Sequence, residues 1–199
     1  AAVAFVLDSS GSMGQTVAGT LKSQMQIATE SAALAISTME TTDLVEVIAF
    51  NSAHSVIVPL ARNSDKEATA NRVRSIAPGG GTNMYPALAK AVEDLRVADA
   101  KVKHVILLSD GQSLGDPSEG TAIAELAHDY GITISTIAVG DGAARETLAD
   151  IAGHGGGQYY EVFNVDQLPK IFIKEILVVR KPLIRLGLFD PVDLRSGSA

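Results

Sequence analysis

Short apolar runs separated by segments of helical period leave this chain little choice of architecture. "AVAFVL" (2–7) and "KHVILLS" (103–109) are nearly continuous apolar stretches, the pattern of strands covered on both faces. "ITISTIAVG" (132–140) and "GQYYEVF" (157–163) read as two further strands. From about Thr20 to Met39, residues Leu21, Met25, Ala28, Ala32, Ala35, Ile36 and Met39 recur three and four apart, which predicts a helix. Further helices are expected over 65–77, 85–99, 118–130, 143–152 and near 165–177. "LVEVIAF" (44–50) and "SVIVPL" (55–60) flank a polar turn, Asn51 to His54, and are expected to pair as a hairpin. Alternating strands and helices imply right-handed crossovers. The expected fold is a doubly wound, Rossmann-like α/β domain. Its six-stranded sheet is mostly parallel with one antiparallel edge strand, and helices cover both faces.

Composition narrows the function classes. At 199 residues, 46% hydrophobic and 20% charged, the chain suits one globular domain with a sizeable core. A net charge of −7 argues against nucleic acid as a partner. Without cysteine there is no disulfide, thiolate metal site or cysteine nucleophile. No apolar stretch approaches the ~20 residues of a membrane helix, so no direct membrane insertion by this segment is expected. No basic region precedes an apolar one at the start, and Ala1 leads almost directly into a strand. We therefore expect a module of a larger protein, with localisation signals lying elsewhere. The tail from Val178, apolar and basic with two prolines, predicts an extra edge strand or the start of a linker.

In an open α/β sheet, ligands sit beyond the carboxyl ends of the strands where strand order reverses. With the common order 3-2-1-4-5-6, the strands 2–7 and 103–109 are neighbours at that point. The loops "DSSGSM" and "SDGQS" then converge, and "GGGTN" reaches the same crevice. Alternation of Asp8, Ser10 and Ser12 offers one carboxylate and two hydroxyls to a common centre. Asp110 adds a second carboxylate and Thr82 a third hydroxyl. Five hard oxygen donors without imidazole or thiolate suit Mg²⁺, with Mn²⁺ or Ca²⁺ as alternatives, rather than zinc.

These three motifs carry a resemblance. "DSSGSM" resembles the D-x-S-x-S of the metal-ion-dependent adhesion site in von Willebrand factor type A domains. "GGGTNMYPAL" is similar to that family's threonine loop, and "ILLSDGQS" to its second aspartate loop. The resemblance runs over about residues 3 to 176, and "LPKIFIKE" looks like the end of such a domain in larger bacterial membrane-associated proteins. It implies a family domain over 1–178, with 179–199 as a C-terminal extension or linker, and an extracytoplasmic or membrane-associated parent. It also implies that Ser10 and Ser12 bind the metal directly, that Thr82 joins in the liganded form, and that Asp8 and Asp110 act chiefly through water or from one side. A cation held mostly by neutral hydroxyls keeps its charge and an open position. The implied function is divalent-metal-dependent protein binding, the cation accepting a Glu or Asp carboxylate of a partner, and not an enzyme.

Rival readings have specific sources. Asp8, Ser10 and Ser12 alone can cap a turn, and the domain can be structural with an empty site. "GQSLG" (111–115) is a literal G-x-S-x-G, and "HGGG" (154–157) mimics an oxyanion loop, so a serine hydrolase using Ser113 is the enzymatic alternative. Its context is poor, because Asp116-Pro117 delays the following helix and HGGG comes after the serine rather than before it. "GGGTN" lacks the lysine of a phosphate loop. His54, His104, His128 and His154 are scattered and read as surface or satisfied core residues. Met13 reads as packing, Asp141 as turn chemistry and Glu93-Asp94 as a solvated helix face.

Overall fold

The computed structural model describes residues 1–188. Its sheet has six strands: β1 (Ala2–Asp8), β2 (Leu44–Phe50), β3 (His54–Arg62), β4 (Lys103–Ser109), β5 (Ile132–Val139) and β6 (Gly156–Val162). They lie in the order β3-β2-β1-β4-β5-β6, with all neighbours parallel except the β2–β3 hairpin. The expected fold class is therefore the observed one. Among the described residues, six α-helices complete the domain: α1 (Gln24–Thr38), α2 (Lys66–Arg74), α3 (Met84–Arg96), α4 (Pro117–Asp129), α5 (Arg145–His154) and α6 (Leu168–Leu188).

All seven residues of β1 are buried, because alternate side chains feed two separate cores. Val3, Phe5 and Leu7 face α1, α2 and α6, where Phe5 stacks on Phe172 with ring centroids 6.0 Å apart. Ala2, Ala4 and Val6 face α3, α4 and α5. Burying side chains such as these stabilises the fold by about 1.5–3 kcal/mol each for the large ones. Met13 belongs to the first core, as its packing role requires. Local signals fix the helix starts. Ser23 and Gln26 form a capping box on α1, and Asp116 and Glu119 do the same on α4, with Pro117 at its first position.

The tail departs from expectation. Residues 178–188 continue α6 instead of forming an edge strand or a linker, through Pro182 and past Arg180. Within this stretch Arg180 reaches two acidic partners. Arg180 lies 3.3 Å from Glu40 and 3.6 Å from Asp43. The remainder of that expectation, residues 189–199, lies outside the described residues. No helix among the described residues is long and apolar enough to cross a membrane.

Candidate metal centre

The strand order reverses between β1 and β4, and the polar loops after both strands meet at that crevice. β1 ends at Asp8, and the chain turns through a 3₁₀ turn, Gly11–Gly14, in which Met13 is the buried residue. β4 ends at Ser109, followed at once by Asp110. The two loops are joined by side chains. Ser12 donates to Asp110 Oδ1 at 2.9 Å, and Ser10 donates to the same oxygen at 3.4 Å. The two serine hydroxyls are themselves 3.1 Å apart. Three oxygens from sites about a hundred residues apart thus converge on one point.

Asp8 plays a different part from simple alternation. Its carboxylate is fully buried and turned into the loops: Oδ1 accepts from the Ser10 amide at 2.8 Å, and Oδ2 from the Ser109 hydroxyl at 2.8 Å and the Asp110 amide at 3.4 Å. It fixes the backbone that presents Ser10 and Asp110. Ser109 escaped the sequence reading. Its one signal is position, as the last buried residue of an apolar strand beside an aspartate.

The threonine loop closes the third side. Gly80 has φ +78°, a region that L side chains rarely adopt, and its carbonyl accepts from the Gly11 amide at 2.9 Å. The β2–β3 turn steadies this loop. Ser52 Oγ accepts from the Gly81 amide at 2.8 Å, and the Asn51 carbonyl accepts from the Asn83 amide at 2.7 Å. The sequence showed only a polar turn there. Thr82 accepts from the Leu114 amide at 2.9 Å through its carbonyl. A Cβ placed on Gly111 would lie 3.7 Å from Thr82 Oγ1, so the hydroxyl borders the Asp110 loop. It stands outside the hydrogen-bonded group of Ser10, Ser12 and Asp110.

The electrostatics favour a cation. Burial, reinforced by the Asp8 carboxylate, pushes the Asp110 carboxyl above the usual aspartate range, against the hydrogen bonds donated by Ser12 and Ser10. A positive ion near Oδ1 would relieve that penalty. The donor set of two carboxylates and three hydroxyls fits a hard divalent ion, and no cluster of three or more His, Cys, Asp or Glu side chains occurs among the described residues.

The residues of the hydrolase reading have other partners. Ser113 Oγ accepts from the Met84 amide at 2.9 Å and donates to the Leu114 carbonyl at 3.0 Å, so it caps the start of α3. His154, at the end of α5, has Nδ1 3.1 Å from Glu125. His104 is a satisfied core residue, with Nδ1 2.6 Å from Thr133 Oγ1 and Nε2 2.8 Å from Glu175 Oε2. Tyr85 is buried and packs near Gly115 and Gly120.

Comparison with known proteins agrees with this fold. The model of the family described as the von Willebrand factor type A domain matches residues 2–174. An uncharacterized Synechocystis sp. protein, sll0103, is 28% identical over 162 residues, covering 80% of this chain and 37% of its own length. The chain thus spans little more than a third of that relative. Among solved structures, a von Willebrand factor type A protein from Catenulispora acidiphila superposes with a TM-score of 0.79 at 23% identity, over 89% of this chain and 42% of the other. Proximal thread matrix protein 1 from the mussel byssus, in a form with a zinc-occupied metal-ion-dependent adhesion site, gives a TM-score of 0.71 at 23% identity. There the shares are 89% of this chain and 45% of the other.

Proposed function

Because this chain belongs to the von Willebrand factor type A family, whose domains are generally interaction modules, we propose that it binds a partner protein through a divalent cation. Asp8, Ser10, Ser12, Thr82 and Asp110 are the residues that would hold the ion, with Mg²⁺ as the natural occupant and Mn²⁺ or Ca²⁺ as substitutes. One observation carries this reading: the Ser10 and Ser12 hydroxyls converge on a single oxygen of Asp110, a buried carboxylate from another loop. The zinc-occupied site of the mussel protein supports a divalent ion in this fold.

When bound, the cation supplies an electrophilic position for an outside anionic oxygen. The chain's own residues set its character. Ser10 and Ser12 contribute neutral oxygens, so the charge is only partly offset. Asp8 accepts from Ser10, Ser109 and Asp110, which holds the loops in register, and would act on the ion chiefly through water. The partner group that suits such a site is a Glu or Asp carboxylate. Since the relative extends well beyond the matched region, we propose that the domain is part of a larger protein, extracytoplasmic or membrane-associated as the family resemblance implies.

Calorimetry tests the reading. A cation at about 100 times its dissociation constant stabilises by about 2.7 kcal/mol, which for this size raises the melting temperature by roughly 5–10 °C. Millimolar Mg²⁺ should produce that rise in the parent chain and none in Asp110→Ala. A Glu-containing peptide that binds equally well in chelator would reject the bridging role.

A further inference from the structure

Glu46 stands where β2 calls for an apolar residue. Ile48 and Phe50, on the same face of the strand, are buried in the second core, and Glu46 itself has no solvent-accessible surface. Neither of its carboxylate oxygens has a hydrogen-bond partner. An unpaired carboxyl at a core position is a local conflict of the kind that marks function. The side chain lines a cavity of about 350 Å³ between α3 and β3, shared with Lys90, Asp94, Val97, Val56, Pro59 and Leu60. Asp94 accepts from Lys90 Nζ at 2.6 and 2.7 Å. Asp94 is thus partly buried against this cavity, whereas Glu93 is exposed, as expected of a solvated helix face. Val56 and Val97 are exposed at the rim.

We infer that this cavity binds the guanidinium group of an arginine side chain from a partner protein, its head between Glu46 and Asp94 and its methylenes on Val56, Leu60 and Val97. Lys90, 41% exposed along its side chain, can swing outward to open the floor. Charge decides the ligand class. Burial, and then the Asp94 carboxylate, push Glu46 up to about 9, so it is neutral at physiological pH. Asp94 is held below the usual aspartate range: burial opposes this, but the neighbouring Glu46 carboxyl and the hydrogen bonds from Lys90 outweigh it. Asp94 is thus anionic beside a cationic Lys90, and the free cavity carries no net charge. Entry of a monocation expels one proton from Glu46 to solvent and restores that balance. A divalent ion would leave excess positive charge beside Lys90, and an anion would face Asp94. A guanidinium fork can bond two carboxylates at once, which an ammonium does less well. Glu46 pairs in register with Ala4, four residues before Asp8 and so about 13 Å along the strands. The site is therefore separate from the metal centre.

The probe is N-butylguanidinium, titrated into the intact chain while the methyl NMR signals of Val56, Leu60 and Val97 are followed. The expected result is saturable shifts at these methyls, with release of a proton seen as buffer-dependent heat at neutral pH. Glu46→Gln, a neutral isostere, should weaken binding about tenfold or more and abolish the proton release. Val97→Lys, an exposed rim change, should weaken it while leaving the melting temperature in place. Absence of saturable shifts, undiminished binding in Glu46→Gln, or shifts produced by Mg²⁺ in Asp110→Ala in place of the guanidinium would each overturn the assignment.

Discussion

Ser12 donates a 2.9 Å hydrogen bond to Asp110 across 98 residues of sequence, and that bond joins the two loops of the candidate metal centre. It is also the contact a cation would replace, since an ion between the two oxygens takes over the role of the shared proton. Ser12→Ala should therefore leave the fold within about 1 kcal/mol, because the hydroxyl is at the exposed edge. Its Mg²⁺-induced rise in melting temperature should shrink clearly. An unchanged rise would remove Ser12 from the donor set.

Ser109 offers a test of positioning rather than ligation. Its hydroxyl holds Asp8 Oδ2 at 2.8 Å, and without it that buried oxygen keeps only the 3.4 Å contact from the Asp110 amide. Ser109→Ala should cost about 1–3 kcal/mol in urea unfolding. It should also weaken Mg²⁺ by roughly 10–100-fold, the usual cost of losing an outer-shell partner. Loss of stability with unaltered Mg²⁺ affinity would confine Ser109 to a structural role.

Glu46 sets a pH dependence opposite to that of most carboxylates. With its folded pKa near 9 and its unfolded value near 4.5, the folded chain holds a proton that the unfolded chain has lost. Stability then falls as pH rises through that window, by about 1.4 kcal/mol per pH unit. Glu46→Gln should flatten the slope of unfolding free energy between those values and stabilise the protein at neutral pH. An identical slope in the variant would mean that Glu46 is ionised in the folded chain.

The opposite sign belongs to Glu175, which ties α6 to the sheet. Burial acts to raise its pKa, yet hydrogen bonds with His104, Tyr160 and Ser135 outweigh burial and hold it below the usual glutamate range. Its contribution is complete above the unfolded pKa and is lost as pH falls through the lower folded value. Glu175→Ala should cost about 3 kcal/mol or more at neutral pH, because buried donors lose their acceptor. The penalty should shrink in acid, and a pH-independent penalty would show packing alone at work.

Legibility of this chain followed the kind of signal each element carries. β1 and β4 stood out because both faces are covered, which leaves continuous apolar runs, and the hairpin was marked by its polar turn. Asp8, Ser10, Ser12 and Asp110 were visible as motifs at strand ends and Thr82 in a glycine-rich loop before a helix, and the common strand order of such sheets predicts their convergence. Packing across the sheet left weaker marks. Glu46 was hidden inside the apolar run "LVEVIAF", and Asp94 passed as surface because its partners, Glu46 and Lys90, lie on two elements. The role of Asn51 and Ser52 in steadying the threonine loop depends on contacts across about thirty residues, which no local pattern records. The tail from Val178, with its basic residues and two prolines, read as an edge strand or a linker. The helix continues, with Arg180 facing Glu40 and Asp43.

Paramagnetic Mn²⁺ titrated into the isotope-labelled chain locates the ion most directly. Amide signals of Ser10, Ser12, Thr82 and Gly111 should broaden first and together, and Asp110→Ala should leave them sharp at the same Mn²⁺ concentration. Broadening centred elsewhere, or unaffected by loss of the Asp110 carboxylate, would contradict a cation held between these loops.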